Sequence, residues 1–394
     1  MGRVMLALYG TANHCCGIDR ERSVIRLRSA DRFPTETAGD FALVRSRDEI
    51  DRALAGRAKG IVAVEDRASA CSDAAANTPL IVLPSQCSYL ADGDIIAVQP
   101  GSRRFRTLYR RSSNHNSFLV TERCNHYCLM CSQPPKDIAD QWILGEIKEA
   151  LPLVDKGTRS LGFTGGEPLL DWREFTEMLA ECRDILPATA IHVLSNGRAF
   201  ARDSVVAAWA QVEHPDLMVG IPIYSAIDYV HDYVVQARNA FDETVLGILK
   251  LKDKKQRVEI RVVLHAITAP RIVETCHWLA RNLPFVDHVA LMGLENTGFA
   301  IANAEQLWID PIDYRDLLAE AVEVVASAKM KVSVYNLPRC VLSRSTWPYA
   351  VQSISDWKNG YYAQCEHCVE RERCSGFFTS GRPRRSRAIK AILA

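Results

Sequence analysis

The chain has 394 residues, 48% of them hydrophobic and 24% charged, an ordinary globular composition long enough for two or three domains. Lys plus Arg (48) nearly balances Asp plus Glu (47), so no global field favours nucleic acid or a membrane surface. Thirteen cysteines, an odd number, argue against a disulfide framework and for metal or cluster chemistry in a reducing cytoplasm.

The opening "MGRVMLALYGTANHCCGID" has a short apolar run broken by Gly10, Thr11 and Asn13, and is read as no signal peptide. No apolar stretch approaches the roughly 20 residues needed to cross a bilayer. Short strand-like runs follow ("FALVR", "GIVAVED", "PLIVLP"). Then "GDIIAVQPGSRRFRTLYRR" places two strand-like runs around Pro100-Gly101, the pattern of a hairpin. "SSNHNS" (112–117) reads as a linker, so residues 1–113 are taken as a small N-terminal domain.

From Ser117 strands and helices alternate. Candidate strands are 117–122, 160–165, 190–196, 217–224, 258–265 and 288–294, with helical spacing at 172–186, 200–211, 237–253 and 270–282. Six such units imply an α/β fold with a parallel sheet, open or curled. The architecture expected over 114–330 is a partial (β/α)6 TIM-like barrel with its site at the C-terminal strand edge. Residues 331–394 are expected to form a Cys-rich extension. Its last fourteen residues, with Arg382, Arg384, Arg385, Arg387 and Lys390, read as a solvated, frayed terminus.

"CNHYCLMCSQPP" (124–135) sits just after the first of these strands. Cys124, Cys128 and Cys131 read C-x3-C-x2-C with no fourth ligand in reach. A closed zinc site wants four ligands, and Cys182 and Cys276, which might complete one, fall within predicted helices. Three thiolates hold three irons of a 4Fe–4S cluster and leave the fourth iron open. "TGGEP" (164–168) ends the second strand. Together these resemble the radical S-adenosylmethionine (radical SAM) superfamily.

The resemblance implies an S-adenosylmethionine cofactor chelated by the open iron and cleaved to a 5′-deoxyadenosyl radical. It implies cofactor contacts from Gly165, Gly166 and Glu167, the last accepting from the methionyl ammonium. Ser195 and Asn196 in "LSNG", Arg261 for the carboxylate, and Met292 against adenine follow by the same likeness. Two departures stand out: Met130 where many relatives have an aromatic residue, and "IPIYSA", which leaves open whether Tyr224 or Ser225 meets the ribose.

Cys365-x2-Cys368-x5-Cys374 resembles the core of the SPASM and twitch extensions, with Cys340 as the natural fourth ligand. The resemblance implies one auxiliary iron–sulfur cluster, with structural zinc as the alternative; Phe378 stands where a further cysteine would fall. Longer phrases ("NSFLVTERCNHYCLMCSQPP", "FTGGEPLL", "PFVDHVALMGLENTGFA", "CEHCVERERCSGFF") resemble the HxsC group of His-Xaa-Ser-system radical SAM maturases. That likeness implies a ribosomally made precursor peptide as substrate, a companion radical SAM maturase, and an electron donor such as flavodoxin or ferredoxin, with no nucleic acid or membrane partner. Two rivals stand beside it: a radical SAM enzyme acting on a small molecule, and a non-catalytic iron–sulfur or zinc scaffold that delivers a peptide. No catalytic acid or base is assigned; His231, Asp232 and His265 are the candidates, each with a wall or helix-start role as the plainer reading.

Overall fold

The computed structural model of the protein describes residues 8–32, 40–64, 78–352, 359–378 and 384–393. The end of "GIVAVED" and the start of the phrase before Cys365 lie outside them. Among the described residues no helix is long and apolar enough to cross a membrane.

The N-terminal part is one eight-stranded sheet. Its strands are β1 (Tyr9–Thr11), β2 (His14–Cys16), β3 (Ser23–Ser29), β4 (Phe41–Val44), β5 (Gly60–Val64), β6 (Leu80–Leu83), β7 (Ile95–Gln99) and β8 (Arg104–Tyr109). The order is β1-β8-β7-β3-β4-β5-β6-β2. Only Ala12 and Asn13 separate β1 from β2, yet these strands end the sheet on opposite sides; the Ala12 amide donates to Arg103 O and the Asn13 amide to Val82 O. One segment therefore closes the sheet on itself. The near-continuous apolar runs follow from burial on both faces. Leu27, Phe41, Leu43, Val62 and Ile81 point inward, while Ala42, Val44, Ile61 and Val82 meet the helix Arg47–Ala55 through Ile50 and Ala53. The hairpin around Pro100 is present as β7 and β8, joined by antiparallel pairing.

The expected linker is a braced turn. The Asn116 side chain accepts from the Arg110 amide (2.8 Å) and donates to Arg110 O (3.0 Å), which starts the next strand at Asn116. A polar run looks like a linker in sequence because a side chain that replaces backbone partners leaves no apolar trace.

The second sheet contains β9 (Asn116–Leu119), β10 (Ser160–Thr164), β11 (Ala190–Leu194), β12 (Leu217–Pro222), β13 (Arg257–Leu264), β14 (His288–Gly293) and β15 (Val332–Tyr335). It is curled and wholly parallel, in sequence order from β9 to β15. The expected six strands are thus seven, because "KVSVY" pairs with β14 instead of opening the Cys-rich end. Helices at Trp172–Ile185, Asp203–Gln211, Ala240–Asp253 and Ile272–Asn282 lie near their predicted positions, and a further helix at Arg315–Ser327 follows. They cover the convex face, where Val193, Val219, Ile260, Val262 and Leu291 form the main core with Cys182 and Cys276. Strand alternation then turns Leu194, Arg261, Val263 and Met292 to the concave side.

The two sheets are tied through the helix Trp142–Ala150. Buried Glu146 receives Arg22 and Arg106 from the N-terminal sheet. The Arg22 guanidinium stacks 3.5 Å from the Trp142 ring centroid. Glu146→Gln keeps the volume but removes the charge from two bonds worth about 1.5–3 kcal/mol each when ionic. The variant is expected to lower Tm and to speed amide exchange over residues 22–26 and 104–108, while the strands from β10 to β14 keep their protection.

Candidate functional site

Residues 120–135 leave β9 as an irregular loop whose backbone is fixed on four sides. Against the end of β10, the Gly166 amide donates to Thr121 O (2.7 Å) and the Glu167 amide to Arg123 O (2.8 Å). This contact explains the paired glycines. Gly165 has φ +137°, and a Cβ on Gly166 would stand 1.9 Å from Arg123 O. The close approach is to the cysteine loop, so the glycines build the loop's seat. Against β11, Asn196 Nδ2 donates to Asn125 Oδ1 (2.7 Å). Against the helix Asp228–Val235, the amides of Leu129 and Tyr127 donate to Val234 O and Val235 O, carbonyls that a helix end leaves without partners. On the last side the Phe299 amide donates to Cys131 O (2.9 Å) and Asn303 Nδ2 to Leu129 O (2.9 Å).

Asp140 is the loop's buried anchor. It accepts from Thr121 Oγ1 (2.8 Å), the Glu122 amide (2.6 Å) and Arg123 Nε (2.8 Å), and Arg123 also reaches Asp171. Burial pushes its carboxyl up, but these donors win and hold it below the ordinary range. Sequence reading missed Asp140, because an acidic residue before a helix looks like an ordinary helix-start residue.

The loop brings Cys124, Cys128 and Cys131 together, each partly exposed. Burial raises all three thiols, Cys124 to about 12, and for Cys124 and Cys128 the neighbouring cysteines add to it. Three such thiols ionise together only when a cation shares the charge. Among the described residues no three His, Cys, Asp or Glu side chains converge as the ligands of a single ion do. A cluster takes one ligand per iron, at separate corners.

Glu167 is 1% exposed. Oε1 accepts from the Leu169 amide (3.0 Å) and Ser195 Oγ (2.9 Å), and Oε2 from the Asn196 amide (2.6 Å). With about four acceptor directions on a carboxylate, one remains. Burial raises its pKa despite these bonds. Asn196 Oδ1 also accepts from the Arg198 amide (3.1 Å), and Ser195 Oγ from the Gly197 amide (3.1 Å). Glu167, Ser195 and Asn196 therefore form one knot under the loop.

Beside the loop a cavity of about 390 Å³ opens over the concave face. Met130 and Gln133 of the loop, Thr164, Arg261, Met292 and Phe378 are among its walls. Arg261 Nε lies 2.9 Å from Glu259 Oε1. Glu259 is itself buried, 2.7 Å from His288 Nδ1 and 3.5 Å from His192 Nε2. Burial opposes its charge, yet His192, His288 and Arg261 pull its pKa far below the usual range. It was missed in the sequence because one Glu among strand residues carries no motif.

The acid–base candidates stand elsewhere. His231 is buried between Tyr224 and Phe241, with its Nδ1 accepting from the Tyr224 amide. Asp232 accepts from the Phe241 amide (2.9 Å) and so caps the following helix. His265 is fully buried and accepts from the Ile267 amide. Burial lowers His231 to about 4 and His265 to about 3. None of the three lines the cavity, and neither do Glu167, Ser195 and Asn196. Tyr224 packs with Met130 beneath the loop, and Ser225 accepts from the Ile227 amide.

At the far end Cys340, Cys365, Cys368 and Cys374 line one small cavity. Neighbouring amides point at the sulfurs: Ile392 N lies 3.4 Å from Cys368 Sγ, and the Gly376 amide meets Cys374. Arg339 and Glu370, paired at 2.5 Å, close the rim. Residues 384–393 of the tail expected to fray are docked here, while Arg382 lies outside the described residues. The Val369 amide donates to Ile392 O (3.0 Å), and Arg387 binds Asp310 (3.1 Å) and Asp313. A charge run reads as solvated only when its acidic partners are out of view, and these lie more than seventy residues upstream.

Residues 118–279 match the family model described as "Radical SAM superfamily". No curated protein matches the chain. Among solved structures it is similar to Streptococcus suis SuiB bound to S-adenosylmethionine, at 15% identity and TM-score 0.44, over 55% of this chain and 49% of that one. It is similar to anSMEcpe with bound AdoMet at 18% identity and TM-score 0.43, over 55% and 62%. A radical SAM methyltransferase from Sphaerobacter thermophilus matches at 13% identity and TM-score 0.45, over 63% and 74%. The chain spans about half the length of the SuiB chain.

Gly166→Ala tests the loop's seat. The added methyl has no room against the Arg123 carbonyl, so the loop must lift. If Cys124, Cys128 and Cys131 are iron ligands, anaerobic reconstitution should then load less iron at this loop and leave any iron at the four-cysteine cage unchanged, read by iron analysis and by the electron paramagnetic resonance (EPR) signal of the reduced protein.

Proposed function

Starting from a radical SAM superfamily domain over residues 118–279, we propose that this protein reductively cleaves S-adenosylmethionine and uses the radical produced to modify a ribosomally made peptide of the His-Xaa-Ser type. The observation that carries the cleavage step is the three-thiol loop seated at the edge of a cavity that also receives Arg261. The donor set fits a 4Fe–4S cluster with one open iron. When bound, that cluster and S-adenosylmethionine supply a 5′-deoxyadenosyl radical, and the chemistry that follows is the cofactor's.

The chain's own residues bind and orient. Cys124, Cys128 and Cys131 are the cluster ligands. Arg261, with its Nε held by Glu259, presents its guanidinium to the methionyl carboxylate. Glu167 offers its remaining acceptor direction to the ammonium, while Ser195 and Asn196 fix the carboxylate's orientation. Gly165 and Gly166 keep the cluster loop against this group. Met292, on the cavity wall, packs on the adenine.

A peptide substrate is supported by the sheet's geometry and by the long phrases shared with His-Xaa-Ser maturases. Seven strands in one open sheet do not close into a full barrel, which leaves room beside the cavity for an extended chain. Cys340, Cys365, Cys368 and Cys374 would hold an auxiliary iron–sulfur cluster. Zinc fits the same thiolates, and metal analysis separates the two. The companion maturase and a flavodoxin- or ferredoxin-type donor belong to the same reading.

Reconstituted protein should show a 4Fe–4S signal that changes on adding S-adenosylmethionine, and should release 5′-deoxyadenosine with a reductant. Replacing Cys124, Cys128 and Cys131 by Ala should abolish the release and leave the auxiliary signal. Continued 5′-deoxyadenosine formation would refute the cluster assignment. Mass spectrometry of a co-expressed His-Xaa-Ser precursor should show a mass change or solvent-deuterium uptake. An unchanged peptide beside turnover of a metabolite would favour the small-molecule reading.

A further inference from the structure

The C-terminal segment 384–393 reaches both the four-cysteine cage and the second sheet's neighbourhood. Its inner side is built into the protein: Ser386 is buried and its hydroxyl accepts from the Ala388 amide (3.1 Å). Ala388 and Ile389 pack on the main core. Gln364 Nε2 donates to Ile389 O (3.4 Å), beside Cys365. The end of the segment supplies amides to two sulfurs, Ile392 to Cys368 and Lys390 to Cys340. Its start is held at a distance from the cage, where the Arg387 amide donates to Asp310 Oδ2 (3.0 Å) and its guanidinium binds Asp310 and Asp313. Asp310 is fixed in turn, its other oxygen accepting from the Ile312 amide (3.1 Å).

We propose that residues 386–392 are a latch that walls the four-cysteine cage, clamped by Arg387 on Asp310 and Asp313 and tuning the bound group through the Ile392 amide on Cys368 Sγ. This rests on the reading of the cage as an iron–sulfur site. An N–H aimed at a ligating sulfur stabilises the more negative, reduced state, so it raises the reduction potential. A covering segment also slows the escape of metal and the entry of water. The clamp is exposed, and a single exposed ion pair contributes little. Here a backbone amide and a forked guanidinium act on two carboxylates at once, a geometry in which such a contact holds.

The test uses full-length, anaerobically reconstituted protein carrying Cys128→Ala, so that only the cage signal is read. Ile392→Pro removes the amide hydrogen and Ile392→Val keeps it. Potentiometric EPR should show a lower potential for the proline variant at equal iron content, with the valine variant unchanged. Arg387→Ala should release iron to a chelator about two- to fivefold faster, the effect of losing one networked surface clamp. It should also expose residues 384–393 to protease while the barrel stays intact. Equal potentials for the proline and valine variants would overturn the tuning role, and an unchanged release rate for Arg387→Ala would overturn the latch. Metal analysis of the unsubstituted protein comes first. A cage holding neither iron nor zinc refutes the metal reading and the latch with it. With zinc in the cage, the iron–sulfur reading and the potential tuning fall together, and the rate of zinc release decides the latch.

Discussion

The candidate site depends on the contact of two backbones. The turn after β10 and the loop after β9 exchange amide–carbonyl bonds at Gly166 and Glu167, at a separation that leaves no space for a Cβ. Asp140 gathers the loop's first residues, the knot of Glu167, Ser195 and Asn196 supports it from below, and a helix end and the 299–303 segment hold its outer side. The bonds at Thr121 O, Arg123 O, Leu129 O, Cys131 O and the Glu122, Tyr127 and Leu129 amides each use a backbone group that an irregular loop would otherwise leave unpaired. Order in the cysteines therefore follows from accounting for amides and carbonyls as much as from the thiols themselves.

A second constraint comes from charge on the concave face. Glu259 sits among apolar strands and keeps its negative charge because His192, His288 and Arg261 surround it. Removing any one partner would leave the others facing a carboxylate that burial alone would neutralise. Arg261 consequently lies beside Glu259 as a close ion pair, which limits the freedom of a long side chain.

Much of the fold was legible because strand and helix periods write themselves into apolar spacing, as in the helix Trp172–Ile185 and the strand β13. The cysteine spacing and "GGE" were legible because ligand chemistry restricts residue types. What escaped notice depends on distant partners. Strand β15 follows a long helix and pairs with β14; the tail's Arg387 meets Asp310 and Asp313; Asn116 replaces backbone partners around Arg110. The meaning of the glycines also needed coordinates, since a sequence shows that a backbone comes close but not whose. For His231 and His265 the sequence left a site role and a wall role open, because a position in the chain does not fix which way the ring is walled in.

The segment running through β1 and β2 also bears on how the chain reaches this form. Tyr9 pairs with Arg106 and His14 with Val82, so the β6 edge can be sealed early, but the other edge of the N-terminal sheet cannot be sealed until β8 has been made and folded onto β7. Contacts this far apart in sequence form slowly, because loop closure costs entropy before any pairing rewards it. During synthesis the sheet would first exist with β7 as an unsealed edge. An open edge of this kind is where a nascent chain is most prone to pair with a second copy of itself.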